Sequence, residues 1–115
     1  MIIILLMVFL QIKHWYIDFV DQSDDEVRCK GIYGNLVGIN HSGKHGLFTG
    51  VLFFNITEFW FIIGLVDFFL HYHIDWIKMN YGCQDLKSKT FWVHLGLDQL
   101  AHQLCYITYI GMLLT

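Results

Sequence analysis

Histidine and aspartate recur through this sequence at the three- and four-residue intervals that place side chains on one face of a helix. His14 and Asp18 are continued on either side by Gln11 and Gln22, and at 100° per residue the four fall within an arc of roughly 80°. Asp67, His71, Asp75 and Lys78 make a second row, and His94, Asp98 and His102, with Gln99 on the shoulder, make a third. His45 adds another imidazole from a separate segment. Neutral imidazole and carboxylate are the ligand set for zinc, manganese or iron, and pairs one turn apart can share an ion or orient each other. The candidate metal ligands are His14, Asp18, His45, His71, Asp75, Asp98 and His102. This set exceeds one tetrahedral site and suffices for two ions with a bridging water, an arrangement that makes a hydroxide nucleophile near neutral pH and clamps a phosphoryl or acyl group. Asp98, Lys78, Gln22 and Gln99 are the candidate catalytic groups: the lysine to neutralise an anionic substrate or transition state, the glutamines to orient ligands or water.

The chain that must position these groups is short and greasy. Its 115 residues are 56% hydrophobic, 17% aromatic and only 15% charged, with mean hydropathy +0.49. A soluble domain of this size still exposes roughly a third of its unfolded-chain surface, which a chain made of four apolar segments cannot supply in polar residues. The expected environment is therefore the lipid bilayer. The composition excludes disordered, collagen-like and low-complexity classes, and a net charge of -3 gives no reason to expect a nucleic-acid partner. Cys29, Cys83 and Cys105 show neither a disulfide framework nor thiolate metal spacing. Residues 1–10 lack the basic flank and small-residue cleavage site of a signal peptide and read as the start of a retained helix.

Polar clusters divide the chain into an all-α arrangement, a single integral membrane domain of about four transmembrane helices over residues 2–22, 44–54, 56–79 and 90–114. Asn55 and Glu58 have capping-box spacing, which predicts a tight turn and a helix restarting at Ile56. Arg28, Lys30 and Lys44 flank the first loop and Lys78, Lys87 and Lys89 the third, so the positive-inside rule places loops 23–43 and 80–89 in the cytoplasm and both termini outside. With that topology the His/Asp rows of all four helices lie at one depth and gather into a single cytoplasm-facing pocket. His41 and His73 fall outside the rows and read as surface or interfacial residues, and Lys13 lies apart from the loop lysines. The tryptophans and the Phe59-Trp60-Phe61 run read as lipid belt and packing.

Each intramembrane aspartate or lysine costs about 2.5 to 3.5 kcal/mol at mid-helix on insertion scales, so each needs a reason to be there. A lone histidine in such a place is usually a helix-to-helix hydrogen-bond partner. A convergent set points to a metal site, ahead of an ion path or structural polar packing. The order His14-x-x-x-Asp18-Phe19-x-x-Gln22, Lys44-His45, His71-x-x-x-Asp75-x-x-Lys78 and Asp98-Gln99-x-x-His102 resembles the small bacterial and phage membrane proteins grouped as domain of unknown function 3307. The resemblance implies a polytopic inner-membrane protein with these positions as its functional residues, and no defined activity. The acidic, glycine-containing first loop and the additional His73 and His94 depart from that pattern. The expected function is a divalent-metal site supporting hydrolysis of a phosphoester-type, membrane-associated substrate. The competing expectations are a proton or cation conduit and a non-catalytic membrane subunit using the same polar face. A thin four-helix bundle also leaves room for a homo-oligomer.

Overall fold

The structure, a computed structural model, describes residues 1–115 and is all-helical. α1 (Ile2–Trp15) continues without a break into a π-helical segment, Tyr16–Asp21, so the first rod ends close to the expected boundary. α2 (Asp24–Cys29) is a short segment closed by a capping box: the Ser23 hydroxyl accepts from the Glu26 amide at 3.2 Å, and the Glu26 carboxylate accepts from the Ser23 amide at 2.7 Å.

α3 (Leu36–Phe53) starts eight residues before the position 44 expected from sequence. Gly34, at φ +82°, turns the chain, and the Asn35 side chain then accepts from the Val37 amide at 2.9 Å to open the helix. Of the glycines in the expected first loop, Gly31 and Gly34 precede this helix, while Gly38 lies inside it, where an added Cβ would stand 2.8 Å from the Cys29 carbonyl oxygen. α4 (Trp60–Tyr81) begins four residues after the expected restart at Ile56. The Asn55/Glu58 box does not form; residues 54–59 make turns, and the Thr57 hydroxyl accepts from the Phe59 amide instead. α5 (Lys89–Leu113) is capped by the Ser88 hydroxyl, which accepts from the Thr90 amide.

α3 and α4 cross at glycines. A Cβ on Gly46 would stand 2.5 Å from the Gly64 carbonyl oxygen and 2.6 Å from the Phe68 Cβ, and one on Gly64 would stand 2.8 Å from the Gly46 oxygen. Gly46 and Gly50, four apart, give α3 a bare stripe on which the α4 backbone rests. That contact fixes the register between the helix carrying His41 and His45 and the helix carrying His71 and Asp75.

The distribution of side chains is inverted relative to a water-soluble domain. Of 27 buried residues, fourteen are polar or charged and nine are hydrophobic. Phe9, Phe48, Leu65, Phe69, Leu97 and Ile107 are among the many large apolar side chains left at least half exposed around the outside. Seven of the nine buried hydrophobic residues, Leu6, Leu10, Phe53, Ile63, Tyr106, Tyr109 and Ile110, pack together at one end of the bundle. One rod, Ile2–Asp21, is long and apolar enough by itself to cross a membrane, with a mean hydropathy of 1.6.

The glycine crossing can be tested directly. Gly46→Ala is expected to cost about 1 to 3 kcal/mol through overpacking against backbone atoms that cannot retreat. Gly96→Ala on α5, with no heavy atom near its added Cβ, should be neutral or slightly stabilising. Thermal unfolding of the two variants beside the parent measures the difference.

Candidate metal centre

The last turns of the first rod, the first half of α3, the second half of α4 and the first half of α5 meet at one level of the bundle. There the Asp18 Oδ1 lies 2.8 Å from the His45 Nε2, 3.1 Å from the His41 Nε2 and 3.8 Å from the His71 Nε2. Beside this group the His102 Nε2 lies 3.2 Å from the Asp75 Oδ1 and 3.5 Å from the Asp98 Oδ1. Asp75 joins the two groups, because its Oδ2 is 3.4 Å from the His71 Nε2 and 3.5 Å from the His41 Nε2. His14, His71 and His102 make a third set, and within each set the donor atoms lie no more than 4.8 Å apart. The His45 and His71 rings stack at 3.5 Å between centroids, and those of His71 and His102 at 4.0 Å.

Two of these contacts are hydrogen bonds, from the His45 Nε2 to the Asp18 Oδ1 and from the His102 Nε2 to the Asp75 Oδ1, and other donor atoms of the cluster have none. Both ring nitrogens of His41 and of His71, the Nδ1 of His45, the Oδ2 of Asp75 and the Oδ1 of Asp98 are buried with no hydrogen-bond partner. Each such atom would cost about 1 to 3 kcal/mol if nothing compensated it. Two donors bound 2.0 to 2.1 Å from one tetrahedral ion stand about 3.4 Å apart, within the 2.8 to 3.8 Å range found around Asp18. The buried His/Asp groups are therefore within range of holding a metal ion, and their spacing is that of donors converging on a common point.

His14 differs from the other histidines of the cluster. Its Nε2 donates to the Gln99 Oε1 and its Nδ1 accepts from the Tyr106 hydroxyl, both at 2.9 Å, so both nitrogens are engaged. Gln99 thus orients His14, and its amide also donates to the Asp98 Oδ2 at 3.1 Å. Gln22 donates to the Asp18 carbonyl, closing the π-helical segment, and accepts from Lys30 at 2.9 Å. Lys78 stands 3.4 Å from the Asp98 Oδ2 at the rim.

Three groups at the cluster were not singled out from the spacing. His41, expected at the surface, is completely buried between Asp18, Asp75 and Glu26. It sits one turn before His45, the same interval as the other pairs, but the expected helix start at 44 left it outside. Lys30 arrives from the loop after α2 and places its ammonium 3.4 Å from the Asp75 Oδ2. Burial works against that charge, but the fields of Asp75, Asp18 and Asp98 outweigh it and hold the pKa above the ordinary lysine value. Glu26 lies 3.5 Å from the His41 Nδ1, the position of a carboxylate that orients a metal-binding imidazole from behind. Burial opposes its ionisation too, yet Lys44 and the Ser23 amide hold its pKa down to about 2. His94 and His73 stay out of the cluster: one accepts from the Cys83 amide, and the other bonds the Phe69 carbonyl and the Tyr33 hydroxyl.

One turn further into the bundle lies a second polar knot. Lys13 donates to the Thr49 hydroxyl at 2.9 Å and pairs with the Asp67 Oδ2 at 3.3 Å, while Thr49 and Tyr109 both donate to Asp67. Unlike the His/Asp cluster, the Asp67 carboxylate is fully partnered by protein. Removing one member of such a buried pair costs about 3 to 5 kcal/mol because the other charge is left alone. Lys13→Met is expected to show that loss in thermal or denaturant unfolding, and adding Asp67→Asn should recover most of it.

No protein-family model matches the chain, and no curated protein or solved structure is significantly similar to it.

Proposed function

We propose that this chain is a polytopic membrane protein whose buried His/Asp cluster binds one or two divalent ions, zinc, manganese or iron, and uses them to hydrolyse a phosphoester-type bond in a membrane-associated substrate. The single observation that carries the reading is the set of buried imidazole and carboxylate groups converging from four helices, with unpartnered atoms on His41, His45, His71, Asp75 and Asp98. Asp18, His41, His45, His71, Asp75, Asp98 and His102 would hold the ions, which when bound would supply an activated water and a clamp for a phosphoryl group. Lys78 at the rim supplies a positive charge for an anionic group.

Membrane placement is supported by the inverted side-chain distribution and by length. The first rod and α3, α4 and α5 contain 20, 18, 22 and 25 residues, or about 27 to 38 Å at 1.5 Å per residue, against about 30 Å of hydrocarbon. The later helices are less apolar on average because their inward faces carry the cluster, while their outward faces present Phe48, Val51, Leu65, Phe69, Leu97 and Ile107. The positive-inside rule then sets the cluster near the cytoplasmic face of the inner membrane with both termini outside. The resemblance to the domain of unknown function 3307 proteins agrees with this placement and contributes no activity.

A proton or cation conduit using the same residues has one observation in its favour, the Lys13–Asp67–Tyr109 knot that continues the polar column inward. The apolar packing of Leu6, Leu10, Phe53, Ile63 and Ile110 beyond that knot interrupts any relay to the far side, which is why hydrolysis is preferred.

The deciding measurement is elemental analysis of the purified protein together with turnover of a chromogenic phosphodiester. The expected result is stoichiometric zinc, manganese or iron in the parent, with metal and hydrolysis lost together in the His71→Ala/Asp98→Ala variant. A parent protein free of all three metals after exposure to each would sink the metal reading. Cation flux in proteoliposomes that persists in metal-free buffer and disappears with Asp75→Asn would establish the conduit in its place.

A further inference from the structure

Between the second half of α4 and the first half of α5 the bundle opens sideways into a groove of about 330 Å³, at the lower end of the range for small-molecule sites. Its walls are Ile74, Ile77, Leu97 and Ala101, and its polar groups are Lys78, His94 and Asp98. Ile77 and Leu97 are more than half exposed, so the apolar side of the groove is continuous with the outer surface of the bundle. Asp98, by contrast, is 95% shielded from solvent, and its unpartnered Oδ1 belongs to the set formed with Asp75 and His102. Lys78 has a single carboxylate contact and keeps a fifth of its side chain exposed, which leaves donors for a second anion. A single cleft thus runs from the apolar exterior to the cluster, with its fixed positive charge where the two meet.

We propose that this groove admits the substrate laterally from the bilayer, and that the substrate is an acyl lipid with a phosphate-bearing headgroup. The acyl chain lies along Ile74, Ile77, Leu97 and Ala101; the phosphate is held by Lys78, next to Asp75, Asp98 and His102, the residues that would hold an ion. The proposal rests on the metal-hydrolase reading for the fate of the headgroup, while lipid capture depends on the groove and Lys78. A soluble phosphoester would have no use for an apolar wall open to the membrane side, and a neutral lipid would have no use for the lysine.

The test uses the full chain in phosphatidylcholine nanodiscs containing a phosphatidic acid with a photoreactive diazirine in its acyl chain, followed by mass-spectrometric mapping of the adducts. Label is expected to concentrate on the α4 and α5 residues of the groove and to be displaced by unlabelled phosphatidic acid. Leu97→Trp, which fills the groove from an exposed position and so spares the fold, should abolish that concentration. Lys78→Ala should weaken displacement by about tenfold, the size of one charge-assisted hydrogen bond. Label spread evenly over the outward faces of all helices, or groove labelling unchanged by Leu97→Trp, would overturn the proposal. So would competition by glycerol phosphate as effective as that by phosphatidic acid, because the chain would then contribute nothing. Repeating the labelling on chelator-treated protein separates the two readings: groove labelling that survives in a protein shown to bind no metal upholds lipid capture and removes the hydrolase, whereas a metal-loaded protein with even labelling does the reverse.

Discussion

Asp75 has no contact with solvent, and a carboxylate in that position must be matched from every side or it unfolds what surrounds it. In this bundle the matching groups come from four separate stretches of chain: Lys30 after α2, His41 from α3, His71 from the preceding turn of its own helix, and His102 from α5. Asp18 ties the first rod to the same cluster through His41 and His45. The requirement that these charges find one another sets the rotation of each helix about its axis. Fully buried hydrophobic residues are fewer than buried polar ones, nine against fourteen.

The glycine crossing complements that electrostatic constraint. Close approach of α3 and α4 at Gly46 and Gly64 brings the His45 and His71 rings into a stack. α4 and α5 have no such glycine seam, and the groove beside Asp98 lies between them. Asp98 brings a donor of the cluster to this groove, whereas the groove along the glycine seam is lined by none.

Much of this was legible in the sequence, because helical periodicity reports which residues share a face without reference to any other helix. The intervals linking His14 to Asp18, His71 to Asp75 and Asp98 to His102 needed only that rule, and the structure gathers all seven residues of the expected ligand set. What escaped depends on other information. Lys30 reaches Asp75 from a loop, across 45 positions of sequence, and no local pattern encodes such a meeting. Lys13 stands beside His14 on the rod, and its long side chain reaches Thr49 and Asp67 across the bundle. His41 carried a usable signal, the four-residue interval to His45, but Gly38 beside it read as loop because its close approach to Cys29 and Lys30 appears only once α2 is in place. The Asn55/Glu58 pattern erred the other way: the residue types fit a cap, yet the chain spends them on turns that reverse its direction before Trp60.

The carboxylates at the cluster are shared between helices. Asp18 faces imidazoles of α3 and α4, and Asp75 faces imidazoles of α3, α4 and α5. Sliding any one helix along its axis by a turn would therefore separate several of these pairs at once, in a medium that screens charge poorly. The sharing makes the register cooperative: the bundle keeps it as a whole or loses it as a whole.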